Sequence, residues 1–91
     1  MRTVRIAVQG RVQGVGFRDW IVRKARALEL DGWVRNRSNS SVEILASGEA
    51  AAIERLVQAA HRGPPFAHVA QVIVEEGAAE EASGFARRPT L

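Results

Sequence analysis

The stretch GRVQGVGFR at residues 10–18 sets three glycines within seven positions and follows them with Phe17 and Arg18. Glycine gives up more backbone freedom on folding than any other residue, so the cluster marks a tight bend or a close approach. Two familiar phosphate loops do not fit it. A Walker A loop needs Gly-Lys, which occurs nowhere in the chain, and a dinucleotide fingerprint starting at Gly14 would need glycine where Asp19 stands. The physics of those loops still applies where glycines join a strand to a helix. Successive N–H groups there lack intrahelical partners, they can converge on one anion, and the helix N-terminus adds partial positive charge. Arg18 falls in the first helical turn. From there its guanidinium can fold back and hold two oxygens of a tetrahedral anion. The helix dipole opposes a bare arginine at that place, a local conflict expected where function overrides stability. The same residues also read as a tight turn whose glycines only relieve crowding.

Asn36, which closes GWVRN (32–36), is the second candidate. Strand parity puts Gly32, Val34 and Asn36 on one face and Trp33 and Arg35 on the other. Asn36 is then either a turn residue beside Ser38, Asn39 and Ser40, or an amide that orients a water or ligand near the glycine loop.

The elements that must hold these residues follow from periodicity. Val4, Ile6 and Val8 alternate with Arg5, Ala7 and Gln9, predicting a half-buried strand that runs into the glycines. Phe17, Ile21, Ala25 and Leu28 make one face of a helix, with Asp31-Gly32 as its stop. Segments 32–36 and 41–47, joined by Arg37-Ser38-Asn39-Ser40, predict a hairpin. Ile53, Leu56, Val57 and Ala60 predict a second helix that Gly63-Pro64-Pro65 ends. A strand over Val69–Val74 follows, with Ala70, Val72 and Val74 on one face, and a short edge strand at Phe85-Ala86-Arg87. The order β-α-β-β-α-β predicts an α+β ferredoxin-like sandwich, a four- to five-stranded antiparallel sheet with two helices on one face.

Length and composition predict one domain over residues 1–91, with 46% hydrophobic and 25% charged residues. There is no cysteine, which excludes disulfides and thiolate chemistry. His61 and His68 lie far in sequence from the loop, and without cysteines they make a poor metal site. Glu75, Glu76, Glu80 and Glu81 read as solvated surface charges. No apolar run is long enough to span a membrane and the N-terminus does not read as a signal peptide, so the cytoplasm is expected. Nine of the 13 Lys and Arg residues, against three of the ten Asp and Glu, fall within residues 1–37. That bias favours an anionic ligand.

GRVQGVGFR, GWVRN, SVEI, the Gly-Glu-Ala entry to the second helix, Gly-Pro-Pro and Phe85 together resemble the acylphosphatase family over nearly the whole chain. The resemblance implies hydrolysis of acyl phosphates to carboxylate and inorganic phosphate, with neither metal nor cofactor. It assigns catalytic roles to Arg18, which would bind phosphate, and Asn36, which would orient water. It makes Arg11, Val12, Gln13, Gly14, Val15 and Gly16 the phosphate-binding loop. A small acyl phosphate is the expected substrate, inorganic phosphate or sulfate the expected product or inhibitor, and the chain is expected to be a monomer. No nucleic-acid or membrane partner is expected. Asp19-Trp20 stands where the family often carries bulkier aromatic pairs. The rival reading is a non-catalytic phosphate- or nucleic-acid-binding module on the same fold. Base stacking would need aromatics on the open sheet face, where only Trp33 qualifies.

Overall fold

Alternation of Val4, Ile6 and Val8 with polar or small neighbours gives β1 (Arg2–Arg11) one apolar face, and all three valine and isoleucine side chains are buried. In the computed structural model, which describes residues 1–91, β1 is an interior strand of the sheet, paired on both sides. The other elements are α1 (Phe17–Ala27), β2 (Asp31–Asn36), β3 (Val42–Gly48), α2 (Ala50–Arg62), β4 (His68–Glu76) and β5 (Phe85–Arg87). The sheet order is β4-β1-β3-β2-β5. Its inner face and the helices enclose Ile6, Val34, Ile44, Phe17, Ile21, Ile53 and Leu56, the ferredoxin-like α+β arrangement. Only β5 departs from antiparallel pairing, since it runs parallel to β2, Gly32 opposite Phe85 and Val34 opposite Arg87. The reason is connectivity: β4 and β5 occupy opposite edges, so the chain must cross the sheet before it can pair.

That crossing covers the face away from the helices. The Gly77 N–H donates to Thr3 O at 3.0 Å, a Cβ on Gly77 would touch Leu45, and the Trp33 indole Nε1 donates to Glu80 Oε1 at 3.2 Å. Glu80 is therefore a hydrogen-bond partner rather than a merely solvated charge. Trp33 and Leu45 are buried beneath the segment, and Arg5, Arg35 and Arg88 lie against the Trp33 ring. The one central-strand aromatic has no free face on which a base could stack.

Two further expectations are corrected. The helix stop is Leu28-Glu29, with Glu29 at φ 57°, while Asp31 and Gly32 open β2. In β4, Val72 and Val74 share one face, opposite Val8 and Ile6, as expected, but Val69 and not Ala70 joins Val72 against the core. Opposite Gln9 and Gly10 the register skips Ala70, and this β-bulge reverses which side chains face inward. Gly10 makes the bulge possible. It sits at φ 129°, and a Cβ there would lie 2.2 Å from His68 O. Gly63, at φ 66°, ends α2 as the sequence predicts.

Candidate active site

The glycine loop is pegged at both ends. Val12 follows β1 with its side chain in the core, and Phe17 opens α1 with its ring in the same core. Between them Gly14 (φ 74°) and Gly16 (φ 79°) take the left-handed conformation, and a Cβ on either would meet nothing within 4 Å. These two glycines are needed for backbone shape, not to relieve crowding. Gly16 also serves as the N-cap of α1, without any side-chain cap.

The backbone N–H groups from Val12 through Asp19 donate to no other protein atom. The first N–H groups of a helix have no intrahelical partner, and here the loop extends that run to eight consecutive donors on a partly exposed surface, free to meet an anion. Six of the eight residues, Val12, Gly14, Gly16, Phe17, Arg18 and Asp19, line a cavity of about 80 Å³ together with Arg87. That is room for a single small anion. Arg18 is half-buried and carries neither a side-chain hydrogen bond nor an ion pair. Arg11 is exposed as the last residue of β1. A larger depression of about 280 Å³ lies between the helices, beside Trp20, Lys24, Arg55 and Arg62. It has no open backbone donors, so it is not the candidate.

Asn36 is the last residue of β2, and its side-chain Oδ1 is buried without a hydrogen-bond partner. Leaving a buried acceptor unpaired costs about 1–3 kcal/mol, so the atom calls for a partner from outside the chain. Asn36 does not line the 80 Å³ cavity; a third residue joins the two regions. Gln13 Nε2 donates to Arg37 O at 2.9 Å and to Ser41 O at 2.8 Å, tying the loop to the hairpin just past Asn36. The backbone on the other side is held as well: Leu91 N donates to Asn36 O at 3.2 Å and Arg88 N to Val34 O at 2.8 Å. The hairpin turn closes on Asn39, whose Oδ1 accepts from the Ser41 N–H and hydroxyl, with Ser40 at φ 74°.

Glu43 clamps the same strand end from the opposite face. Its buried carboxylate accepts from Arg35 Nε at 2.7 Å, from Arg37 at 3.1 Å and from Arg5. Burial pushes this carboxyl up, but hydrogen bonds from Arg35, Arg5 and Arg37 and the Arg35 charge outweigh it, holding it below the ordinary 4.5. Arg35 and Arg37 flank Asn36 in sequence, so the network fixes the strand on which Asn36 sits.

The sequence singled out the loop, Arg18 and Asn36. It placed Gln13 in the loop without its bridging role, and it missed Glu43, whose partners come from β1, β2 and the hairpin. Alternation along β3 marks Glu43 only as off the helix-facing side. His68 stands opposite Arg11 across the sheet but lines no part of the cavity. No three His, Cys, Asp or Glu side chains converge to hold a metal.

Fold and site together place the chain among ferredoxin-like α+β proteins with a glycine loop at the first strand–helix junction. Residues 4–87 match the family described as Acylphosphatase, and the chain belongs to that family of enzymes. It is 47% identical over 85 residues to the acylphosphatase of Acidiphilium cryptum (strain JF-5), covering 93% of both chains. It is 43% identical over 91 residues to that of Rhodospirillum rubrum, covering 100% of both. Among solved structures, the acylphosphatase from Bacillus subtilis superposes with a TM-score of 0.93 at 42% identity, covering 97% of this chain and 99% of that one.

Proposed function

We propose that this chain hydrolyses acyl phosphates to carboxylate and inorganic phosphate without metal or cofactor. Membership of the acylphosphatase family carries the reaction, and the observation that supports its site is the run of open N–H groups beside a cavity that the unpaired Arg18 also lines. In this reading the amides of the Arg11–Gly16 loop and Arg18 bind the phosphoryl oxygens. Asn36 Oδ1 accepts a proton-side hydrogen bond from water and leaves the water's lone pair free for phosphorus. As the new P–O bond forms, the bond to the acyl oxygen breaks and its electron pair leaves on the carboxylate. The acid of that leaving group has a pKa of roughly 4, so it departs without a general acid. Phosphoryl transfer passes through a loose transition state, for which positioning and electrostatic stabilisation are the main demands. A neutral amide orients water without the repulsion that Asp or Glu would bring, and a phosphate oxygen takes the water's proton. The reading extends to one domain that acts alone, as a cytoplasmic monomer. What supports the single acting unit is that one chain supplies the loop, Arg18 and Asn36.

Hydrolysis of benzoyl phosphate, followed by ultraviolet absorbance with EDTA present, tests the proposal. Full activity is expected in chelator, with kcat/KM reduced about 10²-fold or more by Arg18→Ala or Asn36→Ala, the scale of losing one preorganised donor. Loss of activity in EDTA, or turnover that survives both substitutions in folded protein, would refute it. Phosphate or sulfate should inhibit competitively and raise Tm, by about 2.7 kcal/mol of stabilisation at 100 times Kd.

A further inference from the structure

Arg87 takes no part in the chemistry just proposed, yet it lines the same cavity as Gly14, Gly16 and Arg18. It comes from β5, which is firmly held: Phe85 is buried, and its carbonyl accepts from Arg26 Nε at 3.0 Å. One Arg87 Nη donates to Asp19 Oδ1 at 2.8 Å, and this is the guanidinium's only ion pair. A guanidinium has five N–H donors in a fixed fork. With the Arg87 side chain 45% exposed, donors remain free for something in solution. Asp19 is one residue beyond Arg18 in the first turn of α1, where a negative charge suits the helix dipole. It acts as a tether that holds Arg87 at the cavity.

The cavity has an inside and a rim. Val12 and Phe17 are buried and form its floor, while the side chains of Asp19 (58% exposed) and Arg87 stand at the opening. Some 80 Å³ is filled by one phosphoryl group, so the acyl part of a substrate has to lie toward the opening. We infer that Arg87, held by Asp19, selects acyl phosphates whose acyl group carries its own carboxylate, by donating to that carboxylate from the cavity rim. The inference rests on the reading of the cavity as the phosphoryl site.

Two four-carbon substrates separate the possibilities: succinyl phosphate, which ends in a carboxylate, and butanoyl phosphate, which does not. The readout is the ratio of their kcat/KM values, in which effects on phosphate binding common to both cancel. Arg87→Gln should lower the succinyl-to-butanoyl ratio about fivefold, the strength of an exposed ion pair. The same substitution leaves Asp19 unpaired, and its charge alone would disfavour an anionic acyl group. Asp19→Asn/Arg87→Gln removes that repulsion, and there the ratio should stay low relative to Asp19→Asn alone. A double variant whose ratio equals that of Asp19→Asn would overturn the inference, because Arg87 would then only neutralise Asp19. A ratio that Arg87→Gln leaves unchanged would overturn it as well, with the hydrolase reading intact. No turnover of either substrate by the unmodified chain would remove the parent reading and this inference together.

Discussion

Replacing Gln13 with alanine cuts the one side-chain link between the glycine loop and the hairpin, and the structure gives the size of the effect. The two lost hydrogen bonds, at 2.9 and 2.8 Å, are neutral and partly buried. Each such bond contributes about 0.5–1.5 kcal/mol net. Neither acceptor is stranded, since Arg37 O keeps the Ser40 N–H at 3.1 Å and Ser41 O keeps the Arg37 N–H at 2.8 Å. The cost therefore falls in the lower part of the summed range, about 1–2 kcal/mol. For a domain of this size each kcal/mol shifts Tm by roughly 4–8 °C, so Tm should drop by roughly 4–16 °C. Val12 and Phe17 still peg the loop, so its open amides survive and phosphate inhibition should change little. What loosens is the placement of the loop relative to Asn36, and small misplacements of reacting groups are costly. We expect kcat for benzoyl phosphate to fall about 10-fold while the inhibition constant of phosphate moves by less than about 3-fold. Gln13→Glu should be worse than alanine at neutral pH, because it turns an acceptor toward two carbonyl oxygens. A Tm within about 2 °C of the parent together with unchanged kcat would refute the bridging role.

Glu43→Gln should cost about 1–3 kcal/mol at pH 7 in urea unfolding, since it removes the charge that three arginines share. The folded carboxyl is held below 4.5, so its contribution is complete above that pH and disappears as pH falls toward the lowered value; the gap between parent and variant should narrow from pH 5 to pH 3, and a gap independent of pH would contradict it. Gly16→Ala carries only the left-handed strain, about 1–2 kcal/mol, whereas Gly10→Ala adds a clash with the His68 backbone. Gly10→Ala should therefore lower the denaturant midpoint at least about twice as far, and equal losses would refute the distinction.

Much of the fold was legible because its signals are local. The alternation of Val4, Ile6 and Val8, the helical spacing of Phe17, Ile21 and Ala25, and the Gly63-Pro64-Pro65 break each lie within a few residues. The direction of β5 was not, because three residues carry no periodicity and their partner, β2, is some fifty residues earlier. The bulge escaped for a related reason. Gly10 is visible in sequence, but its effect falls on Ala70 in another strand. At the site, glycine spacing revealed the loop and Asn36 stood out as a polar residue on a core-facing parity. Nothing local could reveal that Gln13 would reach Arg37 and Ser41, or that Glu43 would gather arginines from separate strands. The activity itself came from the family resemblance, since open amides and an arginine specify an anion rather than a reaction.

The interior position of β1 has a consequence for how the chain reaches this state. Its two partners, β3 and β4, lie about 40 and 65 residues downstream, so neither side of the first strand can pair until long loops close. High contact order of this kind slows folding toward the millisecond-to-second range. Throughout that interval Val4, Ile6 and Val8 form an unpaired apolar edge open to other chains. Arg2, Arg5 and Arg11 punctuate that edge with charge, the device by which exposed strands resist pairing with one another. The arginines of the first strand thus protect the newly made chain before β3 and β4 arrive, and neutralising Arg2, which pairs only with Glu54 and Glu76 and lies outside the loop and the Glu43 network, should show first as lower soluble yield rather than as lower activity.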